Sequence, residues 1–332
     1  MNPVSIFKTI RSRAMLLSQL SALAIGSTLL TTPSAQAVPP QVKTQAPGYY
    51  RMMLGDFEIT ALLDGTVTLP IHTLLTNTTP AEVEKRLAGE FLKPQLETSI
   101  NAYLIHTGSR LILVDTGAGV FFGEKGGGQL LTSLKAAGYQ PEDIDTVLLT
   151  HIHGDHSGGL TLSGEASFPN ATVYVDQHEA DFWLNPANEA SAAANQKAGF
   201  ATAATLFAPY LAAGKVKTFQ GNTQLFPGIR TVSSYGHTPG HSFYAIESQG
   251  QQLQLWGDLL HVKDVQFASP SVTIRFDVDS PAAAQQRQKA FANAAKQGYW
   301  VGAAHISFPG IGHVRKSGNG YAWVPANYSL PR

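Results

Sequence analysis

The chain has 332 residues, with 23 cations balanced by 23 acids and no cysteine. That excludes disulfides, iron–sulfur clusters and thiolate metal sites, so any metal must be held by nitrogen and oxygen donors. Without a cluster of Lys or Arg, the chain is also a poor candidate for nucleic-acid binding.

The first 37 residues read as an export signal. Lys8, Arg11 and Arg13 precede an apolar run from Ala14 to Leu30, which closes on the small-x-small pattern Ala35-Gln36-Ala37. Cleavage there removes three cations and no acids, taking the net charge from 0 to −3. About 295 residues then remain, enough for one large α/β domain or two small ones, and 38–332 is taken as a single catalytic domain in the periplasm or the medium. No other segment reaches the ~18 apolar residues of a membrane span.

In chain order, "FEITALLDGTVTLP" alternates and turns like strands of an antiparallel sheet. "NAYLIHTGSRLILVDTG" reads as a hairpin turning at residues 106–109, and "GQLLTSLKAAGY" as a helix ending at Gly138. "DTVLLT" is a buried strand, "ATVYVD" another, and "QHEADFWL" a helix. The Ala/Asn-rich stretch 185–205 is weakly patterned and reads as a mobile or partly helical surface insert that could act as a lid. Strands return at "TVSSY", "SFYAIES" and "QLQLWGD", then a helix at "PAAAQQRQKAFANAAKQ" and a strand at "YWVGAAH". Alternating strands and helices in both halves predict an α/β fold of layered sheets.

Four of these strands end in a metal-capable side chain: "LLT-HIHGDH", "SSY-GH", "LWG-D" and "GAA-H". Sites in α/β proteins lie beyond the C-terminal ends of strands, so four such endings predict one convergent site. His151 and His153 would lie about 200° apart on a helix but share one face of an extended chain. Asp155 and His156 follow a glycine, where the chain can turn back with a second donor pair, and Gly158-Gly159 permits close backbone approach.

HxHxDH after a strand, "LVDTG" before it, "GHTPGH" after it, then Asp258 and His305, resembles the metallo-β-lactamase superfamily over nearly the whole chain past residue 37. The resemblance implies a four-layer αβ/βα sandwich, two mixed sheets flanked by helices, with metals at the edge between the sheets. It implies that His151, His153 and His237 hold one divalent ion, that Asp155, His156 and His305 hold a second, and that Asp258 bridges them. Asp115 and His241 would support those ligands from behind. Imidazole and carboxylate donors favour zinc, and two ions ~3.5–4 Å apart can share a hydroxide from an acidified water. Of the other histidines, His178 reads as surface, His313 as ordering the C-terminal segment, and His72 and His106 as loop residues.

Within that superfamily, "APGYYRMMLGDFEITALLDGTV", "LKAAGYQPE", "EADFWL", "ESQGQ" and "FPGIGH" resemble methyl parathion hydrolases, secreted dizinc enzymes that cleave organophosphate triesters. That likeness implies a pocket lined by Phe122, Trp183 and Phe200. The chain departs from those enzymes at His261, Ile274, Phe276 and Leu74. Bulky Phe276 and polar His261 near the metals should narrow the pocket, which suits a planar ester or lactone better than a tetrahedral triester. The expectation is a lactonase or aryl esterase acting on dihydrocoumarin-like substrates, with phosphotriester hydrolysis as side activity or, alternatively, as the main one. Asp258 and Asp155 would then hold the reaction's metals, and His261 would hold or protonate the leaving oxygen. The partner is a small ester or lactone; a homodimer is left open.

Overall fold

The computed structural model describes residues 38–123, 126–192 and 194–330. The proposed leader lies outside them. Two units separate at residue 44, and the architecture below belongs to the described residues from 45 to 330; residues 38–44 carry no regular secondary structure.

Two seven-stranded sheets are laid down one after the other, each with its strands adjacent in chain order. The first holds β1 (Tyr49–Leu54), β2 (Phe57–Pro70), β3 (Gln95–His106), β4 (Leu111–Val114), β5 (Thr146–Leu148), β6 (Thr172–Asp176) and β7 (Val216–Phe219). The second holds β8 (Gln224–Phe226), β9 (Ile229–Ser233), β10 (Ser242–Ser248), β11 (Gln251–Leu255), β12 (Trp300–Gly302), β13 (Ile311–Ser317) and β14 (Gly320–Pro325). Both sheets are mixed. β4 to β7 pair in parallel and β1 to β4 antiparallel, while in the second sheet only β11 and β12 run parallel.

The period of two along each strand builds the layers. On β3, Ala102 and Leu104 face a core shared with the helices Leu130–Ala136, Gln177–Trp183 and Ala194–Ala212, whereas Tyr103 and Ile105 face the opposite sheet. On the second sheet Tyr244, Ile246 and Leu253 turn inward to that inter-sheet core. Phe243 and Val301 turn outward to meet Phe291 and Ala294 of the helix Ser280–Gln297. The order is helix, sheet, sheet, helix, as the sequence led one to expect.

"FEITALLDGTVTLP" is one strand rather than two, bent by a bulge between Leu63 and Gly65. The extra residue, Asp64, is buried, and its carboxylate accepts from the amides of Ala118, Gly128 and Leu130, tying down the loop that follows β4. The segment 185–205 is largely helical, the second of the two readings the sequence left open. Asn185 caps the helix Pro186–Ser191, and the helix Ala194–Ala212 buries Phe200, Ala203, Phe207 and Tyr210 at helical spacing. Its many alanines supply helix propensity while only a few residues carry the apolar face, which is why the pattern looked weak. His106 is the last residue of β3 and His72 lies in the helical turn Ile71–Leu74, so neither is a loop residue. His313 lies on β13, its ring 3.9 Å from that of Trp300 and its Nδ1 3.1 Å from the Tyr299 carbonyl. His178 is exposed beside Asp176.

Candidate metal centre

All four strand endings converge. His151 and His153 follow β5, His237 lies in the loop between β9 and β10, Asp258 follows β11 and His305 follows β12. Donor atoms of His151, His153, His237 and Asp258 lie within 4.8 Å of one another, as do those of Asp155, His156 and His305. Asp258 faces both sets. Its Oδ2 is 3.2 Å from His237 Nε2 and 3.6 Å from His151 Nε2, while Oδ1 is 2.9 Å from His156 Nε2 and 3.0 Å from His305 Nε2.

Four of the five histidines are aimed by their other ring nitrogen. His156 Nδ1 donates to Asp115 at 2.9 Å, His237 Nδ1 to Asp277 at 2.8 Å and His305 Nδ1 to the Ser99 carbonyl at 2.9 Å. Thr150 Oγ1, itself bonded to Asp115, lies 3.1 Å from His151 Nδ1. Once deprotonated, those four rings present Nε2 inward, whereas His153 turns Nδ1 inward, 3.1 Å from His237 Nε2. His241 does not join the donor sets; its Nε2 accepts the backbone amide of Asp258 at 3.0 Å and so places that carboxylate's turn.

The backbone cooperates. A Cβ on Gly158 would lie 2.2 Å from the Ala118 carbonyl oxygen and one on Gly159 2.0 Å from that of Thr116, so only glycine lets the motif loop pack against the loop that follows β4. Behind the loop, buried Glu179 accepts from Ile152 N and Gly240 N, bracing the first histidine pair against the loop that carries His237.

The donor chemistry fits cations. Among the described residues, His151 Nε2, His156 Nε2 and Asp258 Oδ1 are buried without a hydrogen-bond partner, although the last two lie 2.9 Å apart. Buried polar atoms left unmatched are costly, whereas atoms converging on an ion are matched by it. Burial, with His156 beside it, holds His151 well below the usual imidazole range, and burial with His237 beside it holds His153 at about 3. Burial also opposes charge on His156, His237 and His305, but Asp258 and the other carboxylates win and raise all three, His237 to about 9. Without cations, protons on these rings offset the carboxylates; divalent ions would displace them.

A match to the metallo-beta-lactamase superfamily spans residues 96–304 and takes in every donor named above except His305, one residue beyond it. The chain is a member of that superfamily. An N-acyl homoserine lactonase of Bacillus cereus is 28% identical over 178 residues, 48% of this chain and 63% of that protein. One from Bacillus sp. is 29% identical over 172 residues, 46% and 60% respectively, so this chain spans less than two thirds of the length of the curated relatives it matches. Among solved structures, the hydrolase AbOPH of the beta lactamase superfamily is 39% identical with a TM-score of 0.82, covering 86% of this chain and all of its own. AidC, a dizinc quorum-quenching lactonase in complex with a product, N-hexnoyl-L-homoserine, is 28% identical with a TM-score of 0.78, covering 85% of this chain and 99% of its own.

The expected pocket residues divide. Trp183 stands against the site, its ring 5.6 Å from that of His153, with its indole N–H buried and unpartnered. Phe200 packs beneath Trp183 at 4.8 Å and is core. Phe122 stacks edge-on against Phe121, and it is the half-exposed Phe121 ring that covers Gly154 between His153 and Asp155. His261 lies over the donors, Nε2 3.1 Å from Asp258 Oδ2. Phe276, 39% exposed, flanks His261 at 5.8 Å. Ile274 and Leu74 belong to a small apolar cluster below.

Sequence reasoning missed Phe121, Glu179, Ser99 and Asp277. The adjacent "FF" offered no basis for choosing one ring, and Ser99 acts through its backbone. Asp277 stands beside Phe276 in "IRFDVD", where its role was visible only once His237, forty residues earlier, proved to face it.

Proposed function

We propose that this chain is an exported dinuclear-zinc hydrolase of lactones and aryl esters. The observation that carries the reading is the split of Asp258, one oxygen toward each half of a donor set that otherwise has buried, unmatched nitrogens. His151, His153 and His237 would hold one ion, Asp155, His156 and His305 the other, with Asp258 shared. Relatives named as N-acyl homoserine lactonases and a similar dizinc lactonase support the substrate class. Imidazole–carboxylate donors without thiolate support zinc. The leader-like residues 1–37 support export to the periplasm.

Two divalent ions bound there would supply Lewis acidity to the substrate carbonyl and lower the pKa of water. The chain's own groups do the rest. Asp258 offsets the paired charge, and Asp115, Asp277 and the Ser99 carbonyl keep three rings aimed inward. Trp183 and Phe121 wall the motif loop on its apolar side. His261, between Asp258 and Phe276, is placed to hold or protonate the ring oxygen that leaves. Burial keeps its imidazole below the usual range despite the pull of Asp258.

Phe276 beside His261 crowds this mouth, which favours a planar carbonyl over a phosphotriester. The test is a parallel assay of zinc-loaded protein on dihydrocoumarin, p-nitrophenyl acetate, an N-acyl homoserine lactone, methyl paraoxon and a β-lactam. Lactones or aryl esters should turn over fastest; a clear preference for methyl paraoxon would replace the lactonase reading with a phosphotriesterase one.

A further inference from the structure

Between Asp258 and Asp277 the chain makes an arm that carries much of the site: Asp258, His261 at the mouth, Phe276 beside it, and Asp277 behind His237. Little regular structure holds this arm. It consists of the short helical turns Gly257–Leu259 and Lys263–Gln266 and a two-residue ladder in which Thr273 and Ile274 pair with Thr76 and Leu75. A two-residue ladder is weak, yet the arm must keep donor atoms in place to a fraction of an ångström for chemistry to proceed.

Two buried polar side chains meet where such a hold is needed. Gln266 is fully buried; its Oε1 accepts the backbone amides of His261 at 2.7 Å and Val262 at 3.0 Å, and its Nε2 donates to the Val272 carbonyl at 3.1 Å. Arg287, fully buried on the helix Ser280–Gln297, donates through Nη1 to the same Val272 carbonyl at 2.5 Å and to that of Pro270 at 3.2 Å. Its Nε donates to the Leu259 carbonyl at 2.6 Å, one residue past Asp258. The Val272 carbonyl is thus a joint bonded from both sides. A guanidinium fixes several acceptors in one plane, which a flexible ammonium cannot do. Burying a cation among carbonyls is expensive, and burial lowers Arg287 to about 10. An apolar residue could fill that space more cheaply, so packing alone does not account for the pair.

We propose that Gln266 and Arg287 are positioning residues: by bonding the Val272 carbonyl from opposite sides, they lock the Asp258–His261 turn to the strip that bears Phe276 and Asp277, and so set how the paired donors stand relative to the substrate mouth. This rests on the metal-centre reading above. Neither residue touches substrate. Both act through the backbone of residues that do, and the inference concerns geometry rather than the binding of metal as such.

The experiment compares wild type with Gln266→Met, Gln266→Glu, Arg287→Lys and Arg287→Met, each loaded with zinc for kinetics and with Co²⁺ for visible absorption. Gln266→Met keeps volume but loses all three bonds. It should still take up two metals while kcat for a small lactone falls at least tenfold and KM moves less than threefold. Gln266→Glu keeps both acceptor bonds to His261 and Val262 but sets a carboxylate against the Val272 carbonyl, and it should recover part of that kcat. Arg287→Lys should fall between wild type and Arg287→Met. The relative kcat/KM for a bulky and a small lactone should shift in step with kcat, because the mouth moves with the arm. The Co²⁺ ligand-field bands should shift as well, a readout independent of turnover: a wild type with no lactonase activity but displaced bands in Gln266→Met would count against the proposed substrate and still support the positioning role. Should Gln266→Met not fold, Gln266→Glu carries the same comparison against wild type. Two-metal variants with kcat, substrate ratio and Co²⁺ spectrum all within twofold of wild type would overturn the proposal.

Discussion

The two halves of the metal centre are built in different ways. The half contributed by residues 150–159 is local. One strand end delivers His151, His153, Asp155 and His156 within six positions, and Asp115, on the adjacent strand end, fixes both Thr150 and His156. Glycines 158 and 159 let it sit against neighbouring backbone without strain. The half contributed by the second sheet is assembled from three distant loops, at His237, Asp258 and His305, and is held by long-range contacts: Asp277 to His237, His241 to the Asp258 amide, Ser99 to His305. Local construction makes a rigid cradle from sequence alone. Distributed construction leaves one carboxylate, Asp258, where failure of any loop is felt by both ions.

That contrast orders the expected effects. Asp258→Ala should be worst, because it removes the shared donor: loss of metal from both positions in elemental analysis and a fall in kcat/KM of about 10³-fold or more, equivalent to several kcal/mol of charge stabilisation. Retention of one tightly held ion with substantial turnover would show that the two halves are independent. Next come Asp115→Asn and Asp277→Asn, which remove the carboxylate behind one histidine in each half. Each should cost about 10- to 100-fold in metal affinity or activity. His156 sits within the compact motif whereas His237 depends on its distant partner, so the Asp277 variant should bleed metal faster during dialysis; equal loss rates would erase the distinction drawn above.

Metal uptake should also depend on pH. His237 is raised to about 9 in the metal-free chain, burial opposing its charge but Asp258 and Asp277 prevailing, and it must shed its proton to ligate. Affinity should therefore climb with pH toward about 9 and weaken below it, with protons released on binding at neutral pH. Calorimetry in buffers of different ionisation enthalpy measures that release; zero protons at pH 7 would contradict it. Smallest is the mouth. Phe276→Leu should move relative kcat/KM toward methyl paraoxon by about tenfold, the scale a change of pocket volume supplies, while metal content stays at two.

The same division explains what could be read in advance. The layered fold was legible because strands such as Leu111–Val114 and Ser242–Ser248 are apolar and end in turn residues or ligands. The convergent site was legible from strand endings in His and Asp, and the set of seven candidate donors from the resemblance that HxHxDH and its flanking motifs carry. Gln266, Arg287 and Asp277 were not, since a buried polar residue looks like any surface one until its partners arrive from far along the chain. Glu179 hid in a helix whose exposed neighbours are also polar. The segment 185–205 stayed undecided between mobile and helical because alanine supplies helix without a strong apolar rhythm.

The most direct measurement of the central claim is elemental analysis of purified protein paired with lactone hydrolysis before and after exhaustive chelation. Two transition-metal equivalents per chain, with turnover lost on chelation and restored by Zn²⁺, is the expected result. Protein free of transition metal that hydrolyses lactones at full rate would contradict it.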